Sequence, residues 1–357
     1  MHRILIINPF GIGDCLFTTP LISSIKQQWP DSYLGYWCNE RVSELLKQNP
    51  KIDIVFPLSR GDIKRLYGNL PFAQLKNIFR LFSQIRKTNF DIALDFSLDH
   101  RYGLLSKLAG VKKRIGFDYK NRGRFLTQKR KISGYQDRHI VEYYFQLLRF
   151  LQIEPMVKRL ELFVSESFRS WTQEFLRENH IDAEIKIIGI CPGAGESWGK
   201  DAIFKRWDVE RFAQVCNKLI ENLKVKILIF GNKQDEEACQ KVYRTILKKE
   251  EVLKIYPDFT LSQFAALLSK CSLLITNDGG PLHMAVALGV KTVSIFGPVS
   301  EIVYGPYPAS KEHIVVKTDY DCQPCYKNFR FPKCENGQRC MIDIKPEEVF
   351  QAARSLL

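Results

Sequence analysis

The densest run of chemically useful residues in this chain is Asn277-Asp278-Gly279-Gly280-Pro281-Leu282-His283. It follows an apolar run at 273–276, and the pattern predicts a helix over 281–288 with proline in its first turn. Gly279 and Gly280 let a ligand approach the backbone closely. The N–H groups and positive dipole end of such a helix suit an anion, above all a pyrophosphate. The carboxyl end of a parallel strand is where open α/β sheets bind ligands. His283 stands beside the same helix start. The competing reading is a plain strand-to-helix turn in which Asp278 satisfies backbone donors.

Gly11-Ile12-Gly13-Asp14 takes the equivalent place near the amino end. It is not a dinucleotide fingerprint, which needs a third glycine where this chain has Leu16. Asp14 has two readings. It is either a helix cap accepting from the N–H of Leu16 or Phe17, or a general base acting on an acceptor hydroxyl. A third loop, Pro192-Gly193-Ala194-Gly195-Glu196-Ser197-Trp198, ends a strand and is followed by Lys205-Arg206-Trp207. Two adjacent cations there can neutralise a departing diphosphate, because that stabilisation is mainly electrostatic. They can equally be a solvated basic turn. Finally, Cys322, Cys325, Cys334 and Cys340 group in the tail. Their spacing is open to a zinc clip, to free thiols in a flap, or to a disulfide, and no catalysis is assigned to them.

The elements that must position these groups alternate twice. Residues 3–8 read as a buried strand, 15–29 as a helix that Pro20 kinks or starts, and 32–37 and 52–56 as strands. A strand at 90–96, a helix at 103–109 and a helix at 141–151 follow. A second series begins with strands at 186–191 and 225–230 around a helix at 209–223. It continues with a helix at 261–271, strands at 273–276 and 292–296, and a last helix at 346–357. Strand and helix alternating twice predict an α/β chain of two doubly wound, Rossmann-like domains facing across a cleft. The expected bounds are 1–160, 161–345 and a closing helix at 346–357, with the seam between 152 and 186.

The bulk properties narrow the classes. The chain has 357 residues, 45% of them hydrophobic and 26% charged, which suits a globular protein large enough for two cores. No apolar run approaches the roughly 18 residues that span a bilayer. The first apolar run is too short for a signal-peptide core, so the expectation is a cytoplasmic chain with reduced thiols. The net charge of +14 attracts nucleic acid, anionic lipid or phosphorylated substrates without distinguishing them. Nine cations crowd residues 112–131, including Lys112, Lys113 and Arg114. That stretch is read either as a solvated, self-repelling loop or as a surface for an anionic acceptor.

Taken together, the motifs resemble those of the bacterial lipopolysaccharide heptosyltransferases, the ADP-heptose-using glycosyltransferases of family 9. The matching residues are Gly11 to Asp14 with Thr18-Thr19-Pro20, then Lys205-Arg206-Trp207, then Asn277 to Ala285. Phe296-Gly297-Pro298 and the tail ending in Cys340-Met341 also look like many members. The resemblance covers essentially the whole chain. It implies a GT-B fold, with the acceptor on the first domain and the nucleotide sugar on the second. It also implies an inverting transfer from an ADP-sugar with no required cofactor or bound metal.

By that resemblance Asp14 is the general base, with Gly11 and Gly13 beside the acceptor. Lys205, with Arg206, faces the diphosphate, while Gly193, Asp278, Gly279, Gly280 and His283 line the donor site. Arg101 matches a basic position near the acceptor phosphates. The implied partners are a nucleotide-sugar donor, an anionic glycolipid and the inner face of the cytoplasmic membrane. Two departures stand out. The acidic residue that members often carry near Gly231 is represented only by Asp235 and Glu236, and the first loop lacks the commoner Ser-Leu-Gly-Asp form.

Rival classes remain distinguishable. A nucleic-acid-binding protein would use the same charge, but no recognition motif accompanies the basic run. A nicotinamide oxidoreductase lacks its third glycine. A catalytically idle relative would not need Asp14 beside an intact second loop.

Overall fold

The computed structural model describes residues 1–58, 61, 72–193 and 196–357. The chain divides into two compact units, Met1–Glu161 and Leu162–Leu357.

In the first unit β1 (Arg3–Asn8), β2 (Tyr33–Cys38), β3 (Ile54–Pro57), β4 (Ile92–Asp95), β5 (Lys113–Tyr119) and β6 (Gln128–Ile132) form one sheet. Their order is β3-β2-β1-β4-β5-β6, and every pairing is parallel. Ile4, Leu5, Ile6 and Ile7 are all buried, the mark of a strand covered on both faces. Because the strands are parallel, all six end at one edge. The order reverses between β1 and β4, so their ends flank the switch point where such sheets bind ligands.

Two expectations are corrected here. The helix expected over 15–29 is two helices, Ile12–Leu16 and Thr19–Gln28, with Pro20 in the first turn of the second. Pro20 has no N–H to give the Leu16 carbonyl, and the Thr19 hydroxyl donates to that oxygen instead at 2.7 Å. The basic run at 112–131 is not a solvated loop, since most of it is β5 and β6. Ile115, Phe117 and Tyr119 bury β5 in the sheet, and local acceptors take up several of the cations. Lys113 Nζ donates to the Phe150 carbonyl at 2.8 Å, Arg114 Nε to the Phe125 carbonyl at 2.7 Å, and Lys129 pairs with Asp118 at 2.9 Å. Exposed cations on β6 also suit an edge strand, which charge protects from adding further strands.

The second unit repeats the plan. β7 (Lys186–Cys191), β8 (Val225–Phe230), β9 (Val252–Ile255), β10 (Leu273–Asn277), β11 (Lys291–Ile295) and β12 (His313–Val316) form a parallel sheet ordered β12-β11-β10-β7-β8-β9. Read from β7, this is the same winding as the first sheet, with its switch point between β7 and β10. The helix Val209–Asn222 lays Phe212, Cys216 and Leu219 into the core. The final helix Pro346–Leu356 adds Val349, Phe350 and Ala353 to that same core, so it is part of the second unit.

Close packing sets tolerances in both units. A Cβ on Gly35 in β2 would lie 2.3 Å from Cζ of the buried Phe90, which itself stacks edge-on against Phe56. Gly35→Ala is therefore expected to lower stability by about 1–3 kcal/mol through overpacking. Urea unfolding should show a lower midpoint at an unchanged slope; a variant as stable as the parent would mean the ring moves aside freely.

Candidate functional site

Each switch point carries one cluster of candidate residues. In the second unit, the loop after β10 and the segment after β7 are tied together by Asn277. Its Nδ2 donates to the carbonyls of Pro192 at 2.9 Å and Gly193 at 3.0 Å, and its Oδ1 accepts from the Trp207 N–H at 3.1 Å. One buried amide thus ties the loop after β10 to both the strand end at 192–193 and the segment at 207. Trp207 is buried in turn and donates from Nε1 to the Ile344 carbonyl at 3.1 Å, anchoring the segment to the tail.

This stitching brings Lys205 onto Asp278. The ammonium lies 2.6 Å from the Asp278 carboxylate, with the side chains 2% and 6% exposed. Asp278 is therefore not the cap of the following helix. The cap position of the helix Gly280–Ala287 is Gly279, and no side chain caps it there. Its first N–H groups take no side-chain cap, and the dipole adds a positive field at the same spot, an arrangement suited to an anion. His283 is buried on the first turns of that helix.

Gly193 explains itself sterically, since a Cβ there would lie 2.3 Å from the Asp235 carboxylate. Asp235 in turn takes Arg206 Nη2 at 3.4 Å. Asp235, in the loop after β8, and Arg206, in the segment after β7, thus meet beside Gly193. Ala194 and Gly195 of the predicted loop lie outside the described residues.

In the first unit, the helix Ile12–Leu16 follows β1 directly, with Gly11 at its cap position and Asp14 inside its first turn. Asp14 is half-buried and does not act as the cap. Asn8 Nδ2 holds its carbonyl at 2.8 Å, which orients the turn. Burial pushes the Tyr135 phenol well above its usual range, and the neighbouring Asp14 charge adds to that effect. Asp14 therefore faces a neutral phenol.

Across the switch point, Asp99 caps the helix His100–Leu108 by accepting from Arg101 N at 3.1 Å. It also takes the Arg101 guanidinium at 3.0 and 2.8 Å, a two-pronged grip that sets its orientation. Partial burial, then the charge of Arg124, with smaller contributions from Arg101 and Arg122, hold the His100 pKa below its usual value. Arg101, Arg122 and Arg124 thus all lie within electrostatic reach of His100, in the first turn of that helix. The sequence counts Arg122 and Arg124 in the basic run at 112–131, apart from Arg101; the turn after β5 brings them near the start of the helix that carries Arg101.

Lys112, Lys113 and Arg114 are placed elsewhere. Lys113 pairs with Ile92, which pairs with Ile4 at the start of β1. They sit at the amino edge of the sheet, opposite the edge that carries Asp14.

The four tail thiols come together without forming a bond. Cys322, Cys325, Cys334 and Cys340 line one small cavity with Phe204 and Phe331, and all four are free cysteines. Burial, then the other three thiols, push the Cys340 thiol up to about 11. Among the described residues, no group of three or more His, Cys, Asp or Glu is disposed to hold a metal ion.

Residues 78–334 match the family model described as glycosyltransferase family 9 (heptosyltransferase). The chain is 29% identical to lipooligosaccharide heptosyltransferase 2 of Campylobacter jejuni, over 99% of this chain and 98% of that one. The crystal structure of a family 9 glycosyl transferase from Veillonella parvula superposes with a TM-score of 0.83 at 25% identity, covering 99% and 97% of the two chains. The E. coli heptosyltransferase WaaC with ADP has a TM-score of 0.74 at 16% identity, covering 99% and 100%. The fold is of the GT-B type.

Two stability tests follow from these sites. Lys205→Met strands the Asp278 carboxylate in the interior and should cost about 3–5 kcal/mol in denaturant unfolding. Adding Asp278→Asn should recover much of that loss, and a double variant no better than the single would disprove the pairing. Near the first site, burial raises the Asp95 pKa to about 6 from 3.8. A raised carboxylate pKa means the folded state binds the proton more tightly, so stability should fall as pH rises from about 4 to 6 and then level off. The full effect is about 3 kcal/mol. Asp95→Asn keeps an acceptor for the Ser97 N–H, now held at 2.8 Å, and should remove that component of the pH profile.

Proposed function

Because the chain belongs to glycosyltransferase family 9, the heptosyltransferase family, we propose that it moves a heptose or related sugar from an ADP-sugar to the inner core of a lipopolysaccharide or lipid A-type acceptor. The supporting observation is the Asn277-centred cluster, where an uncapped helix start lies beside a fixed Lys205–Asp278 pair. Such an arrangement suits the diphosphate of a nucleotide sugar. A related protein of the same fold has been solved with ADP.

In this reading Asp14 is the general base, standing in a turn shaped by Gly11 and Gly13. It takes the proton of the acceptor hydroxyl as that oxygen bonds to the anomeric carbon. The bond from that carbon to the diphosphate breaks on the opposite side, which inverts the anomeric centre. The leaving ADP gathers negative charge as it departs. The amides at Gly279 and Gly280 stabilise it, with Lys205 held in place by Asp278 and Arg206 held by Asp235. Gly193 leaves room for the Asp235 carboxylate, and His283 is buried in the first turns of the same helix. On the acceptor side, Arg101, Arg122 and Arg124 offer a cationic patch for acidic groups of the glycolipid, such as phosphates or carboxylates. No resident cofactor enters these steps. The acceptor's lipid places the reaction at the inner face of the cytoplasmic membrane. No helix among the described residues is long and apolar enough to cross it.

Donor identity is read directly from a thermal-shift panel of ADP-, UDP- and GDP-sugars. Stabilisation by the ADP-sugar alone is expected, whereas a preference for UDP- or GDP-sugar would reassign the reaction to another surface polysaccharide. Asp14→Asn should reduce transfer about 10²–10⁴-fold, the usual range for a lost general base, while leaving ADP binding nearly unchanged. Equal turnover in that variant removes Asp14 from the chemistry.

A further inference from the structure

The helix Phe72–Thr88 lies on the first unit's sheet and has a face that the reaction does not use. Ile78 and Ile85, seven residues apart, are buried against the core that contains Leu5, Trp37 and Phe56, with Leu81 and Phe82 packed beside them. The opposite face is unlike an ordinary solvated one. Phe79 is 66% exposed, and Arg80, Arg86 and Lys87 are exposed on the same outward arc. Across its 17 residues the helix carries Lys76, Arg80, Arg86 and Lys87 and no Asp or Glu.

We propose that the outward face of this helix is a docking surface for an anionic lipid bilayer. A helix that is basic and free of acids on its outer face, with an aromatic ring among the cations, has the composition of an interfacial helix. The ring enters the headgroup region while the cations meet lipid phosphates. A purely solvated helix gains nothing from exposing Phe79, and its surface normally mixes both signs of charge.

The position fits as well. The helix ends at the amino edge of the sheet, where Arg3 Nε donates to the Thr88 carbonyl at 2.6 Å. It therefore runs back against the strands, and its first turns point toward the edge that carries Asp14. A bilayer on this face would lie alongside the unit to which the lipid-linked acceptor is assigned. The choice of lipid as the partner rests on that assignment; the charge and the exposed ring do not.

The test is co-sedimentation of the full chain with phosphatidylcholine vesicles, with and without phosphatidylglycerol. The chain should pellet with the anionic vesicles, weakly with the zwitterionic ones, and less as salt rises. Arg80→Gln, Arg86→Gln and Lys87→Gln together should weaken anionic binding on the order of 100-fold, from about 1 kcal/mol per cation. Phe79→Ser should weaken it roughly tenfold on its own. Both variants should keep the parent's melting temperature and its turnover on a deacylated, water-soluble acceptor.

Unchanged vesicle binding in both variants overturns the proposal. So does a parent chain that ignores anionic vesicles, or variants that lose only RNA retention. If the vesicle results hold but the parent transfers no sugar to the soluble acceptor, the docking surface stands and the reading of the reaction fails.

Discussion

An ammonium and a carboxylate buried together are tolerable only when their geometry is fixed, because both have lost their water. The Lys205–Asp278 pair meets that condition through Asn277, whose amide and carbonyl lock the adjoining segments at 2.9 to 3.1 Å. With Asp278 committed to Lys205, the next helix starts without a side-chain cap and its amides remain available for an anion. The proposed donor site therefore depends on one residue that touches no ligand in the proposed mechanism. The first unit obeys the same rule on its proposed acceptor side, where Asp99 both caps a helix and grips Arg101. In each unit a carboxylate is used to aim a cation.

Much of this was legible in the sequence because it rests on short-range rules. The strands at 3–8, 186–191 and 225–230 were read with their observed bounds, since continuous β-branched runs ending in Gly, Pro or Asn have few alternatives. The candidate loops stand out for the same reason: small residues at strand ends mark close approach of backbone. What the sequence could not show was which groups meet. Asn277 sat in a noticed motif, yet its partners lie 70 to 85 residues away. Arg122 and Arg124 looked like part of one undivided basic run with Lys112 to Arg114. The β5 register sends the two ends of that run to opposite edges of the sheet.

The misreadings share a cause as well. Charge density suggested a loop at 112–131, but neighbouring carbonyls and Asp118 absorb cations that a one-dimensional count treats as mutually repelling. The helix Phe72–Thr88 went unremarked because its cations are spread thinly. Only the burial of Ile78 and Ile85 shows that Phe79 and its basic neighbours are left on the outside.

The two sheets share one winding, and each closes its own ladder over its own core. The loops that would recognise the acceptor can therefore be rewritten in one half without disturbing the hydrogen bonds that shape the other. On the proposed division of roles, a lineage built this way can alter what it decorates and what it decorates with as separate inventions, and recombine them by exchanging halves.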